Sequence, residues 1–228
     1  LLPRPISICE ADKENGRLRI VYRIAGAGTK EFSAYKEGDT LDIMGPLGNG
    51  FPLKKKKAFL IGGGIGIPPM LELAKNLDCE KTAVIGYRDK ETFLADELRK
   101  YADVVIATED GSVGTKGNVI DAIRAEKLTA DIIYACGPTP MLKALKTYAM
   151  EDGIECYISL EEKMACGIGA CLGCVCHSKD IDEHSNVRNE RICKDGPVFR
   201  AEEVELLTPD EQRERIASGI MIKKEGQA

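Results

Sequence analysis

The 228-residue sequence has no tryptophan, only two histidines and few aromatic residues, 5% in all. It also lacks a basic excess, because 32 Lys and Arg are opposed by 37 Asp and Glu, for a net charge of −5. A nucleic-acid-binding domain needs a basic face, so this balance argues against a nucleic-acid partner. No apolar run approaches the roughly 18–20 residues of a membrane span, and no signal-peptide pattern is present. We therefore predict a cytoplasmic protein without a membrane partner.

Cysteine stands out against these absences. The chain has nine cysteines, of which four are scattered through the first 160 residues and five lie between Cys166 and Cys193. An odd number of cysteines in a chain without a secretory signal disfavours a disulfide framework. Their crowding near the carboxyl end instead predicts a metal or cluster site.

The first segment, residues 1–53, is predicted to be β-rich. Leu18–Ile24 and Thr40–Met44 alternate polar and apolar residues, and glycines punctuate the stretches between them. This pattern is typical of short antiparallel strands, and it predicts a small β-barrel. The charge run Lys54–Lys57 that follows is most simply a solvated linker.

Residues 54–160 have a different sequence pattern, in which short apolar runs alternate with segments of helical periodicity. Buried strands between helices indicate a parallel sheet covered on both faces, with right-handed crossovers, as in doubly wound nucleotide-binding domains. The predicted strands are 58–62, 82–87, 103–108, 131–136 and 155–160, and the predicted helices lie near 68–76, 91–101, 118–126 and 140–151. Residues 161–200 have loop composition, and 201–228 form a tail in which Thr208, Pro209 and Glu211 predict a helix start.

A glycine-rich loop follows the first of these strands and opens a helix. Glycines let the backbone turn tightly and approach a pyrophosphate, whose charge is favoured at a helix N-terminus. A tight turn without a ligand is the simpler alternative. The loop glycines are Gly62, Gly63, Gly64 and Gly66.

Cys136, Gly137 and Pro138 stand at the end of the fourth predicted strand. Ligands of open parallel sheets bind beyond the carboxyl ends of the strands. The sequence therefore places Cys136 beside a candidate ligand site, although a buried thiol next to a helix start is also a common arrangement.

The cysteine cluster has a recognisable spacing. Cys166, Cys171 and Cys174 follow the C-x₄-C-x₂-C pattern of plant-type [2Fe–2S] ferredoxins, with small residues between them. A fourth thiolate is needed, for which Cys193 is the best candidate and Cys176 the competitor. Zinc is the structural alternative, but zinc sites more often have two C-x₂-C pairs and this chain has one.

Taken together, the glycine loop, Cys136-Gly137-Pro138 and Arg4-Pro5-Ile6-Ser7 resemble the ferredoxin reductase superfamily. The resemblance implies that a barrel holds FAD through the Arg-x-x-Ser motif and that Cys136 lies near the nicotinamide. Arg4 is suited to neutralise a pyrophosphate, and Ser7 to hydrogen-bond the flavin edge. Barrel strands that precede this motif in the superfamily are expected to be missing here.

A narrower resemblance covers residues 1 to about 200. The additional motifs are Val21-Tyr22-Arg23, Gly28-Thr29, Gly45–Phe51, Met164–Cys171 and Ile192–Phe199. In order and spacing they are similar to the family of electron-transfer subunits of NAD-dependent (class 1B) dihydroorotate dehydrogenases. The resemblance implies FAD contacts at Arg4, Pro5, Ile6, Ser7, Val21, Tyr22, Arg23, Gly28 and Thr29, and cluster ligands at Cys166, Cys171, Cys174 and Cys193.

The same resemblance implies a partner and an electron path. A catalytic subunit that carries FMN would oxidise dihydroorotate, in a heterotetramer with two copies of each subunit. Electrons would pass through the [2Fe–2S] cluster to FAD and then to NAD⁺, because FAD exchanges either one electron or two. Cys136 would shape the hydride geometry without acting as a nucleophile.

Two other functions stay open from the sequence. One is a flavin and iron–sulfur reductase subunit of another complex, such as a ferredoxin:NADP oxidoreductase or a hydrogenase. Arg88 and Asp89 follow the second predicted strand and suit a 2′-phosphate and a ribose hydroxyl respectively, so they do not decide between NADP and NAD. The other is a zinc-stabilised nucleotide-binding module without enzymatic activity.

Overall fold

The computed structural model describes residues 2–178 and 189–207, together with Glu211 and Glu214. The predicted helix start at Thr208 and Pro209 lies outside this part of the chain. Across the described residues, we find no helix with the length and apolar character that a membrane crossing requires.

The strands and helices follow one another along the chain in this order. The strands are β1 (Ile8–Asp12), β2 (Arg17–Ile20), β3 (Ala58–Gly63), β4 (Lys81–Tyr87), β5 (Asp103–Thr108), β6 (Thr115–Lys116), β7 (Ile132–Cys136), β8 (Glu155–Ser159), β9 (Val175–His177), β10 (Asn189–Arg191) and β11 (Val198–Arg200). The helices are α1 (Ala27–Phe32), α2 (Ile67–Asn76), α3 (Ala95–Leu98), α4 (Val119–Ala125) and α5 (Thr139–Glu151). A 3₁₀ turn at Gly64–Gly66 leads directly into α2.

A seven-stranded sheet organises the molecule, in the order β11-β8-β7-β3-β4-β5-β6. All neighbours pair in parallel except β11, which runs antiparallel to β8. Within this sheet, β3 lies near the centre. The chain adds β4 and β5 on one side of β3, and then crosses back to add β7 and β8 on the other side. This reversal beside β3 confirms the predicted doubly wound sheet and creates a switch point between β3 and β7.

Alternation along the central strands divides the apolar side chains between two cores. Phe59 and Ile61 belong to the core that contains Leu142 and Leu145 of α5. Leu60 belongs to the opposite core, which includes most of α2. Successive side chains of a strand point to opposite faces, so a continuous apolar run such as β3 needs a helix layer on each side.

Helix α3 is much shorter than the predicted helix over 91–101. The chain at Leu94 has a φ of 63°, in the left-handed region, which stops a helix from running through it. The preceding loop is fixed by the Tyr87 hydroxyl, which donates to the Phe93 carbonyl over 2.7 Å. The Asp89 carboxylate also accepts the backbone N–H of Glu91 over 2.9 Å. These local hydrogen bonds compete with the helix that the side-chain pattern predicts.

The first segment contains a β1–β2 hairpin and α1. The segment Thr40–Met44, predicted as a strand, has no strand assignment, and Ile43 is 64% exposed. A strand needs a hydrogen-bonded neighbour, and none of the described strands pairs with this segment. Cys9 of the hairpin is fully buried against the α2 face of the sheet, and the backbone N–H of Ala11 donates to Glu72 of α2 over 3.2 Å.

The lysine run is not a free solvated linker. Each of its four lysines forms an ion pair: Lys54 and Lys56 with Glu155, Lys55 with Asp78, and Lys57 with Glu80. The run leads into the central strand β3. Its carboxylate partners come from the first residue of β8, which lies beyond β7 on one side, and from the turn before the neighbouring β4 on the other. The hydroxyl of Tyr134 also donates to the Pro52 carbonyl over 2.7 Å, which fixes the chain just before the run.

The lysine run generates a pH-dependent prediction at Glu155. Burial raises the pKa of Glu155, but hydrogen bonds from Lys54, Lys56 and Tyr157 outweigh it and lower that pKa to about 2. We expect Glu155→Gln to reduce the free energy of unfolding by about 1–3 kcal/mol near neutral pH. The deficit should shrink as the pH falls from about 4.5 to about 2, because unfolded wild-type chains then take up a proton at Glu155 that the folded protein binds only near its pKa of about 2.

Urea denaturation at a series of pH values measures this effect. Asp78→Asn is the matched control, because Asp78 is 87% exposed and its pair with Lys55 lies in solvent. Exposed pairs contribute little, so the control should be close to neutral at every pH. A Glu155→Gln deficit that stays constant from pH 7 to the acid limit of folding would contradict the prediction.

Candidate functional site

The glycine loop and the loop after β7 pack against each other at the switch point. A Cβ on Gly66 would lie 2.1 Å from the carbonyl oxygen of Cys136, and one on Gly63 would lie 2.7 Å from the sulfur of Met141. A Cβ on Gly62 would lie 3.0 Å from the Cα of Ile67, where the chain turns into α2. Gly62 and Gly66 therefore allow a close approach of backbone to backbone, whereas Gly63 leaves space for the side chain of Met141.

Gly64 differs from its neighbours. Its φ is +54°, and a Cβ there would have no atom within 4 Å. It faces a cleft of about 1150 Å³ that is also lined by Gly63, Gly137 and Pro138. Of the predicted nucleotide-binding glycines, Gly63, Gly64 and Gly137 thus line the cleft, whereas Gly62 and Gly66 support it from behind.

The cleft has three walls besides the glycine loop. The beginning of α5 forms one wall, with Met141, and the beginning of α4 forms another, with Asn118. The third wall is formed by Val175 of β9 and by Ile192, the residue after β10. A concave site of this size at a topological switch point, beside the start of the 13-residue helix α5, suits an elongated ligand with phosphate groups.

Cys136 ends β7 as a buried thiol that is 1% exposed. It pairs in register with Ser159 of β8 and faces the core on which Val21 and Phe51 pack. Burial raises the pKa of Cys136 to about 12, the charge of Glu161 adds to this, and a hydrogen bond with Ser159 opposes it. A thiol with this pKa stays neutral near pH 7, so the site does not support a nucleophilic role for Cys136.

Glu161 is a cleft residue that the sequence reasoning missed. It lines the cleft together with Arg23, which was among the predicted flavin contacts. Burial by the surrounding protein raises the pKa of Glu161, and the positive charge of Arg23 opposes that shift. The available signal was its position two residues after the end of β8, because carboxyl ends of parallel strands supply ligand-facing residues.

The predicted flavin-binding residues come from two segments that the hairpin brings together. Ile8 pairs with Ile20 across β1 and β2, so residues 4–7 lie alongside residues 21–24. Pro5 is exposed, Ile6, Ser7 and Tyr22 are half-buried, and the ring of Tyr22 packs edge-on against Phe32 at 5.9 Å.

Arg4 contacts the start of α1, 24 residues away. A Cβ on Gly28 would lie 2.7 Å from Nε of Arg4, so the guanidinium lies directly on that glycine. The Thr29 hydroxyl accepts the backbone N–H groups of Ala25 at 2.9 Å and Gly26 at 3.2 Å. The structure therefore places Arg4 against Gly28, and the neighbouring Thr29 side chain holds the turn before α1.

The cysteine loop is tightly curved. Gly167 and Gly169 have φ values of +71° and +83°, which L side chains rarely adopt, and Leu172 is left-handed as well. The backbone N–H of Gly169 donates to the sulfur of Cys193 over 3.1 Å, which joins the loop to a cysteine 24 residues later. The N–H of Ile192 donates to the Cys174 carbonyl over 2.9 Å at the same junction. The positive φ values of Gly167 and Gly169 are the physical reason that this loop has small residues between its cysteines.

The four predicted cluster cysteines form two hydrogen-bonded pairs, and Cys176 belongs to neither pair. Cys171 hydrogen-bonds to Cys166, and Cys193 hydrogen-bonds to Cys174. The charge of Cys166 also raises the pKa of Cys193, which links the two pairs. Among the described residues these sulfurs form two pairs and not a closed cage. Cys176 instead faces Glu190, and burial raises its pKa to about 12. The arrangement favours Cys193 over Cys176 as the fourth ligand.

The chemistry of the loop fits an iron–sulfur cluster. Hydrogen bonds from the backbone N–H groups of Ile168 and Cys171 lower the pKa of Cys166 to about 6, so its thiolate is accessible near neutral pH. Metal ligation requires thiolates, and N–H groups directed at sulfur tune an iron–sulfur centre. Four thiols with no imidazole among them are the donor set that the predicted spacing requires.

Comparisons with known proteins agree with this geometry. Residues 161–205 match the family model described as the iron–sulfur cluster binding domain of dihydroorotate dehydrogenase B. The chain is 45% identical over 214 residues to the dihydroorotate dehydrogenase B (NAD(+)) electron transfer subunit of Bacillus caldolyticus, covering 90% of this chain and 81% of the relative. The subunit of the same name from Fusobacterium nucleatum is 47% identical over 218 residues, with the same coverage.

Solved structures give a consistent result. The structure of an NADH-dependent reduced ferredoxin-NADP oxidoreductase, studied for flavin-based electron bifurcation, matches with a TM-score of 0.81 and 33% identity. The match covers 94% of this chain and 77% of that one. A flavohemoglobin from Malassezia yamatoensis matches with a TM-score of 0.51 and 23% identity over 63% of this chain and 42% of that one, which indicates a shared fold alone.

The cysteine geometry predicts different outcomes for two serine substitutions. Cys193→Ser should abolish or strongly deplete the visible absorption and EPR signal of the cluster, because it removes a sulfur from the four-thiol group. Cys176→Ser, two residues beyond Cys174, should retain a full complement of iron and sulfide. Depletion in Cys176→Ser with a normal cluster in Cys193→Ser would contradict the ligand assignment.

Proposed function

Because the chain belongs to the family of dihydroorotate dehydrogenase B (NAD(+)) electron transfer subunits, we propose that it carries electrons from dihydroorotate, oxidised on a partner subunit, to NAD⁺. Its cofactors are a [2Fe–2S] cluster and FAD. The balanced overall reaction converts dihydroorotate and NAD⁺ to orotate, NADH and a proton. This chain supplies the NAD⁺ site and the path to it, and the partner supplies the dihydroorotate site.

The main observation that supports the proposal is that the cluster region and the nucleotide cleft adjoin each other in this structure. The region that matches the cluster-binding family model contains the four grouped cysteines, and its residues Val175 and Ile192 also form a wall of the cleft. A cluster site and a nucleotide site that share a wall are arranged for electron exchange over a short path. Bound FAD supplies the conversion between single electrons and hydride.

The chain's own residues have separable roles in this proposal. Gly64 and the start of α5 bind the NAD pyrophosphate, and Arg4 neutralises the pyrophosphate of FAD while Ser7 bonds the flavin edge. The neutral thiol of Cys136 is buried at the end of β7, directly before the cleft residue Gly137, and shapes the position of the nicotinamide from behind the cleft wall. Arg88 lines the cleft, whereas Asp89 is engaged in a local turn, so the preference for NAD over NADP rests on the family and not on these two side chains.

The partner is proposed to be a catalytic subunit with FMN, in a complex of two copies of each subunit. An apolar face around the cysteine loop supports a docking surface there: Met44, Leu47, Ile168 and Leu172 are each between 46% and 58% exposed. A contiguous exposed apolar patch of this kind marks a protein interface more often than a free surface. All nine cysteines are free, which supports the proposed cytoplasmic location.

We also propose that the regions 1–53, 54–160, 161–200 and 201–228 are the units of flavin binding, nucleotide binding, cluster binding and the tail. The contribution of β11 to the nucleotide-domain sheet couples the third region to the second.

Reconstitution with the partner tests the proposed function. The chain and the catalytic subunit of its native host should co-purify as a coloured complex that reduces NAD⁺ when dihydroorotate is added. Each subunit alone should fail in that coupled reaction. Electron transfer to NADP⁺ from reduced ferredoxin, with no response to dihydroorotate, would instead support the ferredoxin-NADP oxidoreductase that the solved structure suggests. A colourless protein that holds zinc when isolated from its host would exclude both.

Cys136 gives a second prediction from the same proposal. Cys136→Ala should slow hydride transfer between NADH and FAD about tenfold, equivalent to about 1.4 kcal/mol of barrier, because the strand end behind the cleft residue Gly137 loses packing and the nicotinamide is then less precisely oriented. The cluster spectrum should stay normal, and stopped-flow absorbance separates the two readouts. Cys156→Ala is the matched control, since Cys156 is a buried thiol of β8 in the opposite core. Equal transfer rates in the two variants would remove Cys136 from the proposed mechanism.

A further inference from the structure

Residues 44–49, which we call the clasp, connect the flavin-binding region to both parts of the cluster site. At one end, a Cβ on Gly167 would lie 3.1 Å from the terminal methyl of Met44 and 3.5 Å from a methyl of Leu47. These two side chains therefore rest on the loop that carries the first three cysteines. No residue of the clasp lines the cleft.

At its other end, the clasp binds the turn that carries Cys193. The backbone N–H of Asn49 donates to the Gly196 carbonyl over 2.6 Å. Its side-chain Nδ2 donates to the carbonyls of Lys194 at 3.2 Å and Asp195 at 3.0 Å. Asn49 is thus hydrogen-bonded to three consecutive carbonyls immediately after Cys193.

The turn held by Asn49 is internally rigid. The Asp195 carboxylate accepts from the backbone N–H of Arg191 at 2.9 Å and from its guanidinium Nε at 2.8 Å. Gly48, with a φ of +72°, lies so close that a Cβ there would be 2.6 Å from the Gly196 oxygen. A rigid turn transmits the position of Asn49 to Cys193, and no side chain fits between the two backbones.

We infer that Asn49 is a positioning residue for electron exchange between FAD and the cluster. It fixes the turn of Cys193, and with it one side of the cluster, relative to the flavin-binding region. The exchange moves one electron at a time from reduced FAD to the oxidised cluster, or in reverse, and its rate depends steeply on the separation and relative orientation of the two groups. This inference rests on the proposed function. Asn49 acts through its hydrogen bonds to the turn of Cys193, and not through contact with the reacting atoms of either cofactor.

Two substitutions test the role in the complete complex. Asn49→Ala removes both side-chain hydrogen bonds, and Asn49→Asp keeps the shape but cannot donate to the two carbonyls. Asn15→Ala is the matched control, because its side chain bonds only locally, to Asp12, on the exposed turn of the β1–β2 hairpin. Stopped-flow mixing with NADH resolves the reduction of FAD from the later reduction of the cluster.

We expect FAD reduction at the wild-type rate in all three variants, and cluster reduction slowed several-fold in both Asn49 variants alone. Their EPR spectra should show weaker magnetic coupling between the reduced cluster and the one-electron-reduced flavin. Amide hydrogen exchange over residues 194–196 should accelerate in the same two variants, and this readout does not depend on turnover.

Other outcomes have defined meanings. A cluster of normal content with unchanged reduction rate and EPR coupling in both Asn49 variants overturns the inference. Loss of the cluster from both variants overturns it too, because Asn49 would then maintain the cage and not its position. A wild-type complex that lacks FAD or the cluster contradicts the proposed function instead, so the two failures are distinguishable.

Discussion

Strand β3 is the element on which the rest of the described structure depends. All six of its residues are buried, and it is flanked by β4 and β7 in a parallel sheet that is covered on both faces. A strand in this position has no free edge and no free face, so only its carboxyl end can meet a ligand. There, Gly66 approaches the Cys136 carbonyl so closely that a side chain has no space. The location of the cleft follows from this single constraint.

The cluster region is not a separate appendage to this sheet. Its strand β11 pairs antiparallel with β8, and Cys174, Ile192 and Cys193 are buried in the same core as α5. The edge of the sheet is therefore capped by the chain that follows the cysteines, and folding of the nucleotide domain and of the cysteine loop is coupled. A boundary at residue 160 marks a change of function more than a change of structural unit.

The sequence predicts the five strands β3, β4, β5, β7 and β8, because each contains a short, largely apolar run that is buried in the sheet. It does not predict the short edge strands β6 and β11. The spacing of Cys166, Cys171 and Cys174 is local and can be read from the sequence, whereas the approach of Cys193 to this loop is a contact over 24 residues. Interactions between distant segments were not predictable in this way. The ion pairs of Lys54–Lys57 and the cleft position of Glu161 depend on which strands become neighbours. The break at Leu94 is local, but it follows hydrogen bonds that the side-chain pattern does not show. Thr40–Met44 alternates like a strand but lacks a partner in the described structure, and alternation alone does not supply one.

The lysine run has a consequence for how the flavin-binding and nucleotide-binding regions are placed. Its four ion pairs fasten the connection to β8 on one side and to the turn before β4 on the other, while Pro52 is held by Tyr134. The exposed pairs of Lys55 and Lys57 contribute little to this connection, whereas the largely buried Glu155 and Tyr134 hold it against β8 and β7. In the proposed electron path, the placement of the flavin-binding region beside the nucleotide-binding region is therefore constrained, at this connection, by the same contacts that complete the sheet.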